Sequence, residues 1–286
     1  MWEYQQRRNR LRTNNLFPKE SILSKSNGPK VLFVDIETAP ILAYCWKIWD
    51  ENISLNQIKR DWHLLSWSAK WLGSNEVMYA DQRKAVRLED DAPLLAKIWK
   101  LLDEADIVVW QNGNNFDHKK LNARFILNGM QPPSSYKQID TLMLARKHFG
   151  FTSNKLEYLS DKLNRKYKKQ QHRKYPGFEL WKECLAGNTS AWKEMEKYNK
   201  YDVLALEEIY HKLLPWGATP NHALWHDSDT PLCSCGSTQF QKVGFLYSPS
   251  GKFQRYRCSK CGAETRDKEN MFSKEKRKSL RVSTTR

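Results

Sequence analysis

The sequence predicts an α/β protein: a mixed sheet covered by helices, followed by a small cysteine-bearing β-hairpin. Three observations carry this. Between residues 31 and 214, apolar strand-like runs come first and then alternate with stretches of helical spacing, the order that builds a mixed sheet with helices on it. After Leu214-Pro215-Trp216-Gly217 the periodicity stops. Beyond that point, four of the six cysteines fall within 233–261 as two close pairs.

Element by element, Val31–Thr38 is an apolar, β-branched run stopped by Pro40, which reads as a buried strand. Leu64–Trp71 and Glu76–Ala80 read as two further strands joined by a turn at Gly73-Ser74-Asn75. Pro93–Leu102 places Leu94, Leu95, Ile98, Leu101 and Leu102 on one side of a helix. Ile107–Trp110 is a short apolar strand, and Asp117–Leu127 a helix with Asn128-Gly129 as its stop. Thr141–His148 and Lys155–Leu163 are short helices, and Thr189–Leu213 a longer one. The spacing divides the chain into a basic arm (1–29), a catalytic-sized domain (30–214), a linker (215–230) rich in Pro, Gly, Asn, His and Asp, a cysteine module (231–265) and a basic tail (266–286).

Composition narrows the class. With 40% hydrophobic residues and 12 Trp, the 286-residue chain has enough material for a core, which excludes global disorder. Mean hydropathy is −0.77 and no run of 18 apolar residues occurs, so no membrane helix is expected. The first eight residues have no apolar stretch behind their charges, so no secretory signal is expected and the expected location is cytoplasmic, with nucleoid or nuclear placement open. Of the net charge of +16, residues 1–30 contribute +5 and residues 231–286 contribute +9, leaving +2 for the middle. Basic ends around a near-neutral middle suggest appendages that hold a polyanion, with nucleic acid ahead of a merely solvated surface.

Within the middle, Asp35 and Glu37 alternate along the first strand and so share a face. Two like charges on one face of a buried strand are unfavourable unless a cation sits between them. Asp117 stands where a strand feeds a helix, a position that also suits an N-cap. Tyr198 and Asp202 sit four apart on the last long helix and share a face, which an ordinary amphipathic helix would also give.

Taken together, Asp35-Ile36-Glu37, then Asn112-Gly113-Asn114-Asn115-Phe116-Asp117, then Tyr198-Asn199-Lys200-Tyr201-Asp202, in this order, resemble the three exonuclease motifs of the DEDD superfamily. The Tyr-x-x-x-Asp form of the third motif is similar to the tyrosine-bearing DEDDy branch, which includes proofreading domains of family B DNA polymerases and RNase D-like enzymes. Ile139–Lys147 is similar to the segment that follows the second motif in polymerase-type members. The resemblance spans residues 30–214. It implies an RNase H-like, mixed five-stranded sheet, three strands antiparallel and the next ones parallel. It also implies two Mg²⁺ or Mn²⁺ ions held by Asp35, Glu37, Asp117 and Asp202, with Tyr198 orienting the attacking water. Glu37 is a second contact for that water or for the terminal 3′-OH. The implied activity is 3′→5′ exonucleolytic hydrolysis of single-stranded DNA ends. An exoribonuclease or structure-specific endonuclease of the same fold is the alternative, and a non-catalytic nucleic-acid scaffold the alternative of another class. A proofreading role would need a separate polymerase, or another replication or repair protein, as partner. Asn112 and Asn115 are candidate substrate contacts, although Asn-Gly is also a turn signal. Asp140 is a candidate support for the ligands or a helix cap, and His118 is expected to face away from the site.

The cysteine pairs, Cys233-Ser234-Cys235-Gly236 and Cys258-Ser259-Lys260-Cys261-Gly262, flank a strand-turn-strand pattern over 240–257. This resembles a zinc ribbon, in which Cys233, Cys235, Cys258 and Cys261 would hold one structural Zn²⁺. The first pair is Cys-x-Cys where the second is Cys-x-x-Cys. Arg255 and Arg257, interleaved with Phe253 and Tyr256, are candidate phosphate contacts. The basic run 165–175 is a candidate approach to the site or a plain loop. Trp46, Trp49, Trp62, Trp67 and Trp71 are expected in the core ahead of a base-stacking platform, and Cys45 and Cys184 as reduced, packed thiols.

Overall fold

The computed structural model describes residues 28–168, 174–217, 220, 222–226, 229–282 and 284. The arm expected over 1–29 lies outside the described residues except for Gly28 and Pro29, and so do 169–173 of the basic run, five positions of the linker and three of the tail.

Strand β1 (Val31–Thr38) is the axis of the molecule. The two-residue period of a strand puts Leu32, Val34 and Ile36 on one face and Val31, Phe33, Asp35 and Glu37 on the other. The first face packs on Leu94, Leu95 and Ile98 of α1 (Ala92–Glu104) and on Leu121 and Phe125 of α2 (Asp117–Leu127). The second starts on Val31 and Phe33, which pack against Val203, Leu206 and Tyr210 of a 25-residue helix, Thr189–Leu213. The buried apolar residues thus fill one end of that second face, and the acidic pair occupies its continuation.

A small hairpin, β2 (Leu42–Ala43) and β3 (Ile58–Arg60), leaves the sheet after β1. β4 (Leu64–Trp71) then returns antiparallel to β1, with Asp35 opposite Ser68 and Glu37 opposite Ser66, and β5 (Met78–Asp81) pairs antiparallel with β4. After α1, β6 (Ile107–Trp110) lies parallel to β1, and after α2, β7 (Lys137–Asp140) lies parallel to β6. The order β5-β4-β1-β6-β7 is the mixed five-stranded RNase H-like sheet. Helices α3 (Thr141–His148), α4 (Leu156–Leu163), α5 (Glu179–Leu185) and α6 (Thr189–Leu213) follow. β7 and α5 carry no periodic signal in the sequence. β7 has only Ile139 and Asp140 buried, and α5 is a seven-residue helix that buries Leu180 and Cys184.

The C-terminal module is a three-stranded sheet in the order β10-β9-β8, from β8 (Phe240–Ser248), β9 (Gly251–Cys258) and β10 (Glu264–Arg266). The hairpin is as expected. The third strand is an addition, three exposed residues long, and beyond it Met271 still hydrogen-bonds back to Lys252. An exposed six-residue helix, α7 (Lys274–Ser279), lies in the tail. Cys235 packs with Trp225 onto the Tyr210 cluster, and Cys235 and Gly236 share a cleft with Pro29, Lys30, Val31 and Trp71. The module therefore meets the sheet at the N-terminal end of β1, opposite to Asp35 and Glu37.

Two expectations are corrected. Cys184 is buried but Cys45 is exposed. Trp67 is buried and Trp71 packs against the core, whereas Trp46 and Trp49 stand in solvent. The indoles of 46 and 49 lie on the β2–β3 excursion, which leaves the sheet and on which no buried apolar cluster of the described residues packs. Among the described residues no helix is long and apolar enough to cross a membrane.

Candidate active site and metal centre

The parity of β1 aims Asp35 and Glu37 at α6. That helix starts at Asn188, whose side chain accepts the amide hydrogens of Ser190 and Ala191 and so satisfies two of its first donors. Along it, Tyr198, Asn199 and Asp202 are buried, Asp202 to 2% exposure. Tyr198 and Asp202, one turn apart, face the acidic strand. The phenol pKa is pushed well above the ordinary tyrosine range, first by burial and then by the charges of Asp202, Glu37 and Asp35, so the hydroxyl keeps its proton. Those charges register on Tyr198 because the three carboxylates lie around it.

Asp117 completes the group. It is the first residue of α2 and 4% exposed, and its Oδ1 accepts the amide hydrogen of Ile36 at 3.2 Å. This bond ties it to the strand residue that lies between Asp35 and Glu37. Asp117 does not act as the N-cap; Phe116 occupies that position. Burial raises the Asp117 pKa to about 7, with the nearby Asp140 charge adding and two amide hydrogen bonds opposing.

The loop that delivers Asp117 is shaped by two local requirements. Asn112 adopts a left-handed φ of 65°. A Cβ on Gly113 would lie 2.0 Å from the Trp110 ring, so only glycine fits where the chain turns over that indole. Asp140 then fixes the loop: its carboxylate accepts the amides of Asn112 at 2.9 Å and Asn114 at 3.2 Å while capping α3 through Leu142 at 3.0 Å. Both roles the sequence allowed for Asp140 are thus combined, and it acts through the backbone of this loop. Asn115 donates to Asn112 Oδ1 at 3.4 Å on the loop's exposed side. His118 turns to Tyr136, Asn122 and Gln138, away from the carboxylates.

Two contacts were not legible in advance. Asn199, fully buried, donates through Nδ2 to Asp35 Oδ2 at 2.5 Å and to the Asp35 carbonyl at 3.3 Å, while its Oδ1 accepts the Ser66 hydroxyl at 3.3 Å. Only its place between Tyr198 and Asp202 hinted at a role. Trp181 on α5 donates its indole N–H to Glu37 Oε2 at 3.2 Å and meets the Tyr198 ring edge-on, with centroids 6.2 Å apart. With α5 absent from the sequence reading, nothing pointed to it.

Four carboxylates and a protonated phenol therefore surround the C-terminal half of β1, a donor set of hard oxygens that suits Mg²⁺ or Mn²⁺. They are spread more widely than the cysteines: among the described residues, only the four cysteines bring their ligand atoms all within 4.8 Å of one another.

The cysteines form a compact second centre. Cys233 Sγ and Cys261 Sγ are 3.4 Å apart, and Cys235 Sγ and Cys258 Sγ 3.7 Å apart. A tetrahedral site with Zn–S bonds of about 2.3 Å has sulfurs roughly 3.8 Å apart, so the cluster fits a small zinc ribbon. Each knuckle closes on a left-handed glycine: the Gly236 amide (φ 78°) bonds the Cys233 carbonyl, and the Gly262 amide (φ 82°) bonds the Cys258 carbonyl. The Cys-x-Cys spacing of the first knuckle thus still delivers both thiols. Burial raises the Cys233 and Cys235 thiols, and although burial also opposes ionisation of Cys258, the amides of Cys261 and Lys260 hold that thiol down to about 6. Bound zinc would hold all four as thiolates.

Arg255 and Arg257 do not join the carboxylates. They lie on the module at the other end of the sheet, where Arg255 pairs with Glu264 at 3.4 Å and Arg257 also bonds Glu264. There the two arginines form a cross-strand ion cluster with Glu264 between β9 and β10, with Arg257 still more than half exposed.

A family model described as the RNase_H superfamily matches residues 32–214. No curated protein matches the sequence. Among solved structures, the chain is similar to the family B DNA polymerase from the hyperthermophilic archaeon Pyrobaculum calidifontis, at 14% identity and a TM-score of 0.47. That match covers 71% of this chain and 26% of the polymerase, so the chain spans about a quarter of that protein's length.

Proposed function

The chain belongs to the RNase H superfamily, and on that premise we propose that it is a metal-dependent 3′→5′ exonuclease acting on single-stranded DNA ends. The observation that carries the proposal is the grouping of Asp35 and Glu37 with Asp202 and Tyr198 on α6 and with Asp117 tied to the Ile36 amide. Asp35, Glu37, Asp117 and Asp202 would hold two divalent cations, which when bound supply an activated water and stabilise the leaving 3′ oxygen of an in-line displacement.

The remaining work falls to the chain itself. The buried, protonated Tyr198 hydroxyl can donate to or accept from a water held among the carboxylates and so set its direction of attack. The Trp181 indole holds Glu37 through one carboxylate oxygen and so orients that side chain. Asp140 holds the 112–117 loop in the one conformation that presents Asp117. The α1 and α2 layer under Leu32, Val34 and Ile36 keeps β1 from shifting when charge changes above it.

Residues 30–214 would carry the chemistry, and 215–230 the link to a structural zinc ribbon over 231–265. Substrate binding would be aided by Arg255 and Arg257 of the ribbon and by the exposed basic helix α7 of the tail, with Lys274, Lys276, Arg277 and Lys278. The test is a degradation ladder. End-labelled single strands of DNA and RNA are incubated with Mg²⁺, Mn²⁺ or EDTA. Stepwise shortening from the 3′ end of DNA, abolished by EDTA, is the expected result. Internal cuts, or shortening of RNA alone, would replace it with the endonuclease or exoribonuclease reading, and no cleavage under any metal would refute nuclease function.

A further inference from the structure

The connection between β1 and β4 leaves the sheet just after Glu37 and carries an unusual amount of exposed aromatic surface. Trp46 is 95% exposed and Trp49 79%, with Tyr44 beside them. These rings are not on a slack loop. The Glu51 carboxylate accepts the amides of Trp46 and Lys47, both at 2.8 Å, and the Gln57 side chain donates to Glu51 at 3.1 Å and to the Tyr44 carbonyl at 3.0 Å. Gln57 also closes a capping box with Ser54. The segment therefore invests a hydrogen-bonded frame in holding two indoles in water, where each exposes apolar area that folding would ordinarily bury.

Cations alternate with these rings. Lys59 Nζ lies 5.8 Å from the Tyr44 ring centre, and Lys47 sits between the two tryptophans in sequence. At the other end of the excursion, Lys120 of α2 lies 3.7 Å from the Trp62 ring centre and 5.8 Å from that of Phe116, the residue next to Asp117. The excursion thus begins after Thr38, the residue next to Glu37, and ends at Trp62, which Lys120 links to Phe116 beside Asp117. The excursion 39–62 itself is electrically balanced, with Lys47, Lys59 and Arg60 against Asp50, Glu51 and Asp61. That balance points to stacking more than to bulk charge attraction.

We propose that Tyr44, Trp46 and Trp49 form a stacking platform for unpaired bases of a single-stranded nucleic acid whose end occupies the carboxylate site. This rests on the nuclease reading for its direction, but the platform makes its own contribution to binding. Every base has a π-face, so such a platform tolerates sequence, as a processive end-degrading enzyme needs.

The experiment is equilibrium binding of a labelled oligothymidylate of about 16 nucleotides by the full chain without added Mg²⁺ or Mn²⁺. A uridylate of the same length and a blunt DNA duplex run alongside. Wild type is compared with the W46A/W49A double variant, with far-UV circular dichroism to verify the fold. The expected result is a loss of affinity of at least about tenfold for single strands, none for the duplex, and loss of the tryptophan fluorescence quenching that the oligonucleotide causes in wild type. Equal affinity of the two proteins for both single strands would overturn the platform. So would a wild-type dimer that W46A/W49A converts to monomer with unchanged strand affinity, since the face would then belong to a second copy. Binding is read without added Mg²⁺ or Mn²⁺ and cleavage with them, so a failed ladder in the preceding test refutes the nuclease reading and leaves this outcome separately legible.

Discussion

The carboxylate site and the cysteine cluster each gather four candidate ligands, but they are held in opposite ways. Asp35, Glu37, Asp117 and Asp202 ride on β1, α2 and α6, between two apolar clusters that exist whatever the site contains. The supporting bonds from Asn199, Trp181 and the Ile36 amide come from that same framework. In the cysteine module, by contrast, the buried residues among the described positions of 231–284 are Cys233, Gly251 and Cys258. The ligands themselves are most of its interior. A pair of strands with so little core does not persist alone, so a bound cation would be the core. The lesson is that one centre is a consequence of its fold and the other is a condition for it. Loss of metal should therefore cost chemistry in the first and structure in the second.

The strongest way to break this contrast is to remove a carboxylate. Asp202→Ala or Asp117→Asn should lower kcat by at least about a thousandfold, because several kcal/mol of charge stabilisation go with the displaced cation. The melting of the core should stay level or improve, because a buried like charge has been deleted. Single-turnover rates beside thermal melts decide it; a variant that cuts normally, or one that unfolds, would remove the distinction.

Next in size is the opposite arm. Stripping zinc with a strong chelator, or Cys258→Ser, should abolish hydrogen-exchange protection across Phe240–Cys258 while amides of β1 and β6 keep theirs. Protection that survives in β8 and β9 without metal would show that the module folds on its own. Metal analysis of the untreated protein should give about one zinc per chain.

A smaller effect sharpens how the framework holds the first site. Asn199→Ala removes the two bonds to Asp35, and outer-layer partners of this kind are worth about 10–100-fold in metal affinity or rate. Mn²⁺ binding followed by spin resonance should weaken by that order, with KM for the strand moving less than kcat. Unchanged Mn²⁺ affinity would reduce Asn199 to packing.

The least effect is on stability and depends on pH. Burial lifts the Asp117 pKa from an ordinary 3.8 to about 7, so between those values the folded chain binds more protons than the unfolded one. Stability of the metal-free protein should fall as pH rises through that window, the contribution being gone above pH 7. In Asp117→Asn the decline from pH 5 to pH 8 should be shallower, by roughly 2–4 °C in Tm for each kcal/mol involved. Saturating Mg²⁺ should flatten the wild-type curve as well, because it favours the ionised carboxylate. A wild-type curve with the same slope as the variant would mean that Asp117 ionises freely.

Much of this was written in the chain itself. The apolar run Val31–Thr38 with acids at alternate positions fixed both the central strand and the shared face of Asp35 and Glu37, since a strand has no other way to arrange them. The four-residue step from Tyr198 to Asp202 did the same on α6, and the paired cysteines with a glycine after each pair announced their knuckles. These are local periodicities, and short-range geometry is all they need. What only the tertiary structure decided was whatever depends on a neighbour distant in sequence. Asn199 meets Asp35 across 164 positions, Trp181 meets Glu37 across 144, and Asp117 meets Ile36 across 81. The tryptophans of the β2–β3 excursion read like core residues, yet among the described residues no apolar cluster packs on Trp46 and Trp49, which are exposed. That Arg255 and Arg257 pair with Glu264 depends likewise on β10 folding alongside β9. A side chain's type and its place in a repeat are properties of the chain, but whether it is buried, paired or left to a ligand depends on what folds against it.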